Sequence, residues 1–438
     1  MQRYRLLTRH RPYGYPQGTV PAAGLVHATL SRTCPDALLG RYSCPTAAAG
    51  PGTVAVERSE RENAPVLPTI GVEEEFHVVD LKSRELVPRA GEILNRLPGE
   101  SYTAELYRSV VETNSRVCTT LTQLGDNLAA LRGAAAAIGE WRGLGLVAAG
   151  TVPLVDTDLV ALTPSLRYRR MLEDYQMLVR EQLICGAQVH VGVPDRDLAV
   201  VLARNVTPWL PVLLALSASS PYWLAEDSGY ASVRSLLWQR WPTAGDPGPL
   251  HSAAEHEALV ADLIASQTIS DPAMIYFDVR PSAHLPTIEL RVPDACPRVD
   301  DVVLLAGLFR ALVLHEAGRL VEGRPAVPVR PPLARAAMWR AARSGLEGDL
   351  LLPETSKPVP AADAVHDLLH GLREELTGTG DWELVSGLAE EALGRGTSAS
   401  RQRQVFERHG RLEDVVDHLV AETRGPASGT VGHAVLPE

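Results

Sequence analysis

Glu73 and Glu75 are the first residues of this chain whose type and spacing could do chemistry. In the stretch 71–80, GVEEEFHVVD, a β-strand would put Glu73, Glu75 and His77 on one face and Val72, Phe76 and Val78 on the other. Side chains two apart on a strand lie roughly 7 Å apart, so a divalent cation between the two carboxylates is within reach of both. Alone, the stretch reads equally as a solvated acidic face on a half-exposed strand. The alternation recurs, however. Gln188 and His190 share a face opposite Ala187, Val189 and Val191; Glu289 and Arg291 share one opposite Ile288, Leu290 and Val292; Asp278 is paired with Arg280. Four strands whose polar faces carry Glu, His, Asp and Arg, rather than Ser, Thr and Lys, predict a shared ligand cavity.

Two carboxylates fit this pattern less simply. Glu105 and Glu112 are seven residues apart, an odd spacing that puts them on opposite faces of one regular strand. Either a bulge or turn intervenes, or only one faces the cavity; Glu112 is then the stronger choice, because Asn114 and Arg116 share its face. Glu74 would fall among Val72 and Phe76, and is expected to pair with an arginine or to sit at a sheet edge. Convergence of these groups needs a counter-ion, since two carboxylates about 4 Å apart repel by about 4 kcal/mol at an effective dielectric of 20. An oxygen-rich site suits Mg²⁺ or Mn²⁺, whereas a zinc site would show two or three His or Cys ligands.

The elements that must position these residues are an unequal mixture of strands and helices. Beyond the strands named, the pattern predicts a short helix over 90–97, a strand region over 102–118, and a helix striped by Leu121, Leu124, Leu128 and Leu131. A short buried strand is expected over 145–149 and a helix after Pro164. Helical pattern over 197–216 is interrupted by Pro208 and Pro211. Strands are expected over 183–193, 274–279 and 287–292, and a strongly apolar helix opens at Asp300 and Asp301 and closes at Gly323. Stretches 363–376, 382–393 and 412–423 are helical in character. Strict β-α-β alternation is absent, which predicts an α+β fold: a mainly antiparallel sheet with helices on one face and the site on the other. Residues 1–66, rich in Pro, Gly, Ala and Arg without sustained period, read as a flexible extension and not as a signal peptide. The catalytic domain is expected over 67–424, with a flexible tail over 425–438.

A net charge of −11 with 22% charged residues argues against a general nucleic-acid partner, because phosphate backbones are held by clustered Lys and Arg. The longest apolar runs, 209–216 and 302–314, fall short of the roughly 20 residues a membrane helix needs. Five scattered cysteines (Cys34, Cys44, Cys118, Cys185, Cys296) lack metal-ligand spacing, so no disulfide framework is expected and a reducing cytoplasm is the default. Trp209, Trp223, Trp238 and Trp241 read as packing and pocket-wall residues, and His315-Glu316 and His366/His370 as helix surface.

Combined in order, these motifs resemble the bacterial glutamate–cysteine ligase type 2 family of carboxylate–amine ligases. The likeness is carried by GVEEEF at 71–76, Glu105, Glu112 with Val117-Cys118, and CGAQVHVG at 185–192. It continues through LALSASSP at 214–221, GYASVRS at 229–235, WQRWP at 238–242, DVRP at 278–281, Glu289-Leu290-Arg291, WRAAR at 339–343 and SRQR at 400–403. The resemblance implies a glutamine-synthetase-like catalytic fold with a curved antiparallel sheet, and ATP-dependent amide formation. By position it implies Glu73, Glu75, Glu112, His190 and Glu289, with Glu105 as an outlying member, as ligands of the metal and nucleotide phosphates. It implies Arg291 near the transferring phosphoryl group and Arg234 near the substrate carboxylates. Arg280, Arg340, Arg343, Arg401 and Arg403 are candidates for nucleotide contacts, the last four equally for surface ion pairs. Gln188 stands where the family often has His, and is therefore not expected to bind metal. No Walker lysine loop or kinase Gly-rich loop is present, which leaves carboxylate-bound Mg²⁺ or Mn²⁺ as the phosphate handle. The expected reaction joins the γ-carboxyl of glutamate, or a similar acid, to cysteine or another amine through an acyl phosphate. Other acid and amine pairs of specialised metabolism, a phosphotransferase on the same fold, a metal-dependent hydrolase and a non-catalytic binding protein are the alternatives. Expected partners are a small acid and an amine, with no nucleic acid and no membrane; a homodimer is admitted.

Overall fold

The computed structural model describes residues 67–324, 326–328, 330–352 and 357–425; the expected extension over 1–66 and all but the first residue of the expected tail lie outside them. Strands β1 (Ile70–Asp80), β2 (Tyr102–Ala104), β3 (Val110–Asn114), β4 (Leu144–Val147) and β5 (Ala187–Gly192) come first. A small ribbon, β6 (Tyr222–Trp223) with β7 (Glu226–Asp227), is followed by β8 (Val279–Pro281) and β9 (Thr287–Leu290). A last ribbon joins β10 (Asp349–Leu351) to β11 (Pro358–Pro360). The main sheet has seven strands in the order β2-β3-β1-β5-β9-β8, with β4 on the far half of β1, and every pairing is antiparallel. The expected α+β architecture is therefore the observed one.

One face of the sheet is apolar. Val72, Val189, Val191, Ile288, Leu290 and Val279 pack into one core with helices Leu121–Trp141 and Val299–Val321. The leucine stripe of the first helix, Leu121, Leu124, Leu128 and Leu131, is buried as its spacing predicts. Glu74 lies on this face and is answered by Arg132, whose Nε reaches Glu74 Oε2 at 3.1 Å, with both side chains almost fully buried. The arginine's remaining donors meet the carbonyls of Cys296 and Pro297. Of the two expectations for Glu74, the arginine partner is the one realised.

Three expectations change. The strand region over 102–118 is a hairpin, β2 and β3 joined by a turn over 105–109. The strand expected over 274–279 begins only at Val279, because Pro272–Met274 forms a turn of 3₁₀ helix instead. His315 and Glu316 are not helix surface: Glu316 is buried, and His315 Nδ1 lies 2.8 Å from Glu375 Oε1. The stretch Arg196–Ser217 is long and apolar enough for a membrane helix by composition, yet 72% of its most apolar 18-residue window is buried within the protein; it bends at Thr207–Trp209, which contains Pro208 and precedes Pro211. Cys118, Cys185 and Cys296 are buried free thiols; Cys34 and Cys44 lie outside the described residues.

Candidate active site

The polar face of the sheet lines a cavity of about 400 Å³. Cross-strand register decides which side chains meet in it. Glu75 lies opposite Glu112, Glu73 opposite Gln188, and Glu289 opposite both His190 and Arg280. Residues directly opposite on an antiparallel pair have Cβ atoms about 5 Å apart, so each of these pairs is in contact range.

Two groups of ligand atoms result, each within 4.8 Å of one another: Glu73 with His190 and Glu289, and Glu75 with Glu105 and Glu112. The seven-residue spacing of Glu105 and Glu112 is thus spanned by the hairpin turn, which folds Glu105 back beside its partner, and both face the cavity. Thr103 Oγ1 and Asn114 Nδ2 donate to Glu112 Oε1 at 2.7 and 3.2 Å, the Leu106 amide donates to Glu105 at 2.8 Å, and the Gly186 amide donates to Glu75 at 2.7 Å.

The electrostatics of the two groups differ. Burial and the charge of Glu112 push Glu75 up to about 7, although Arg234, the Gly186 N–H and Arg291 pull it back. Burial and its two carboxylate neighbours push Glu105 well above the usual range, and burial with the charge of Glu73 raises Glu112. Three half-buried carboxylates with too few donors form a site short of positive charge. Glu289 shows the opposite balance. Burial pushes it up, but the charges of Arg291, Arg280 and His190 hold it well below the usual carboxylate range. Arg280 grips both oxygens at 3.0 and 3.3 Å, and Arg291 Nη1 donates to Oε1. His190 is set by Thr287 Oγ1, 2.9 Å from Nδ1, which leaves Nε2 toward Glu73 at 3.3 Å.

Arg234 lines the same cavity from helix Val233–Trp238. Its Nη1 and Nη2 donate to the carbonyls of Val292 and Arg291, at 3.0 and 3.2 Å, and Asp294 lies 3.8 Å away. Asp294 is buried and accepts from the Ser219 amide and from the hydroxyls of Ser220 and Ser232. Glycine at 186 leaves room for the guanidinium where it lies: a Cβ there would stand 2.4 Å from Arg234 Nη2 and force it to shift.

Four expected nucleotide contacts are not among the residues lining the cavity. Arg340 bonds the Asp349 carbonyl, Arg343 stacks on Tyr230, Arg401 chelates Glu422, and Arg403 chelates Asp227. Asp278 is also absent from the cavity lining; it is buried and accepts from Gln239 at 3.3 Å. Conversely, the cavity has an aromatic wall, Tyr168, Trp238, Trp241 and Tyr276; the two tryptophans match the sequence expectation and the two tyrosines add to it. Trp238 and Trp241 pack on Tyr276 at ring distances of 5.0 and 5.3 Å. Gly186, immediately before β5, marks the close approach of Arg234, since a side chain there would meet the guanidinium.

The sheet and its polar face define the α+β glutamine-synthetase-like ligase fold. The solved glutamate–cysteine ligase of Francisella tularensis in complex with AMP superposes with a TM-score of 0.60 at 12% identity, over 83% of this chain and 90% of that one. The family model for glutamate–cysteine ligase family 2 matches residues 69–418, and the chain belongs to that family. A relative from Frankia casuarinae, provisionally named glutamate–cysteine ligase 2-2, is 58% identical over 355 residues, covering 81% of this chain and 41% of that one. A similarly named relative from Mycolicibacterium smegmatis is 53% identical over 372 residues, covering 84% and 93%. The chain thus spans less than half the length of the Frankia relative and nearly all of the Mycolicibacterium one.

Proposed function

We propose that this chain is an ATP-dependent carboxylate–amine ligase. A carboxylate oxygen of the acid attacks the γ-phosphorus of ATP, giving an acyl phosphate and ADP; an amine then attacks the acyl carbon, phosphate leaves, and the amine loses a proton as the amide forms. The observation that carries this reading is the placement of Arg291 between two oxygen-rich clusters in one cavity.

The donor sets fit hard divalent cations. Five carboxylates and one imidazole in two groups suit Mg²⁺ or Mn²⁺ better than zinc, and the raised carboxyls of Glu75, Glu105 and Glu112 mark a deficit of positive charge. Glu73, His190 and Glu289 would hold one ion and Glu75, Glu105 and Glu112 another. Bound there, such ions neutralise phosphate charge.

The chain's own residues do the rest. Arg291 brings a permanent cation to the transferred group, where charge stabilisation is worth most. Arg280 and Arg291 keep Glu289 ionised. Arg234, fixed by two backbone carbonyls, adds positive potential beside the acid. The aromatic wall keeps water from an acyl phosphate that would otherwise hydrolyse. Glutamate and cysteine are the first pair to consider, a reading supported by the family and by the names of the relatives. Incubation with ATP, Mg²⁺ and a panel of acids and amines, reading product masses, tests it. The expected result is an amide with ADP and free phosphate; a phosphorylated acid that persists when amine is added would replace it with a phosphotransferase.

A further inference from the structure

Arg291 stacks over the Trp238 ring at 5.4 Å, and its hydrogen bonds lie on one side of the guanidinium. Its Nη1 donates to Glu289 and, at 2.8 Å, to Gln188 Oε1. Its Nε is buried and meets no acceptor, and among the described residues none is seen at Nη2 either. The Nε–H and an Nη2–H of a guanidinium point the same way and form the edge that grips two oxygens of a phosphoryl or carboxylate group. A buried donor left without a partner calls for one, and the side chain lines the cavity.

Gln188 closes the other half of the arrangement. Its Nε2 donates to Glu75 Oε1 at 3.1 Å while its Oε1 accepts from Arg291, and the residue is 5% exposed. An amide can accept from a guanidinium at one atom and donate to a carboxylate at the other. Turned over, it would set NH₂ against the guanidinium and C=O against the carboxylate, so the two neighbours fix its orientation. With Glu289 as its only hydrogen-bond partner, Arg291 could turn in the plane it shares with the Trp238 stack. The second acceptor, on β5, removes that turn.

We infer that Gln188 is a positioning residue: it pins Arg291 by Nη1 so that the Nε–Nη2 edge meets the transferred phosphoryl group, and through its own Nε2 it ties the pinned Nη1 side to Glu75 in the three-carboxylate cluster. The inference rests on the ligase reading. It concerns a step in which the γ-phosphoryl group passes from ADP oxygen to acid oxygen, with Arg291 gaining and losing no proton.

Two measurements test it. The first is the structure of the wild-type protein with Mg²⁺ and the non-hydrolysable analogue AMP-PNP. Terminal phosphoryl oxygens should lie on Nε and Nη2; oxygens on Nη1, or none on Arg291, would overturn the assignment. The second compares Gln188→Met with wild type in ATP-dependent hydroxamate formation from glutamate and other acids with hydroxylamine, which traps the acyl phosphate without a cognate amine. A misplaced guanidinium should lower kcat by about tenfold to a hundredfold, with KM for ATP within about threefold. A kcat within about twofold of wild type, or a loss carried equally by ATP binding, defeats the positioning role. A drop in Tm with normal turnover per folded molecule shows a structural role and defeats it as well. If wild type yields no hydroxamate from any acid, the ligase reading fails separately, and the nucleotide-bound structure still decides which edge of Arg291 is used.

Discussion

Glu73 and Glu75 stand two residues apart on one strand and belong to different clusters, Glu73 with His190 and Glu289, Glu75 with Glu105 and Glu112. Register causes the split, since Glu73 faces Gln188 across β5 and Glu75 faces Glu112 across β3. Titration with Mn²⁺ followed by electron paramagnetic resonance should therefore resolve two sites. Glu289→Gln should weaken one and Glu75→Gln the other, each by about tenfold or more, as loss of a charged ligand implies. Far-ultraviolet circular dichroism should stay unchanged on chelation. A single class of site, lost in both variants together, would show one shared centre.

Gly186→Ala tests the packing of Arg234. The added Cβ would lie 2.4 Å from Nη2 and 3.0 Å from Cζ, so the guanidinium must leave its two carbonyl partners. Overpacking of this kind costs about 1–3 kcal/mol. The variant should melt lower and show a raised KM for the acid, and a wild-type KM would separate Arg234 from substrate binding.

Arg132→Met should be among the most destabilising single changes, about 3–5 kcal/mol, because it strands Glu74 as an unpaired buried charge. Replacing both partners, Glu74→Leu with Arg132→Met, removes the stranded charge and should recover much of that loss. Urea unfolding of the three proteins reads it; equal loss in the single and double variants would mean that Arg132 acts through its carbonyl contacts instead.

The His315–Glu375 pair should make stability pH-dependent in a known direction. The hydrogen bond to Glu375, only partly offset by burial, raises the imidazole above its ordinary value of 6.5. A raised folded-state value means that the folded protein holds the proton more tightly, so the contribution is complete below pH 6.5 and fades as pH climbs through the raised value. A double-mutant cycle with His315→Ala and Glu375→Gln should give about 0.5–1 kcal/mol of coupling at pH 6 and little at pH 9. Coupling that does not change between these pH values would remove the charge from the interaction.

Much of this site was legible from period-two alternation alone. Glu73, Glu75, His190, Glu289 and Arg291 alternate with apolar residues because one sheet face must pack and the other lines a cavity, and the structure brings all five there. Glu105 was harder, since spacing along a chain cannot distinguish a regular strand from a hairpin that brings distant positions together. Arg340, Arg343, Arg401 and Arg403 illustrate another limit. An arginine in sequence carries no sign of its partner, and here carboxylates, a carbonyl and a tyrosine ring take all four. Tyr168, Trp238 and Trp241 come from helix and loop positions that no short-range period links to Tyr276, three residues before β8.

Glu74 has a mechanical consequence for its neighbours. Through Arg132 it is tethered to helix Leu121–Trp141 and to the carbonyls of Cys296 and Pro297, so β1 is anchored at the residue midway between Glu73 and Glu75. A beam clamped at its midpoint lets its two arms tilt but not slide. Sliding of β1 would carry Glu73 and Glu75 together out of register with β3 and β5, and the Glu74 tether opposes that slide for both clusters at once.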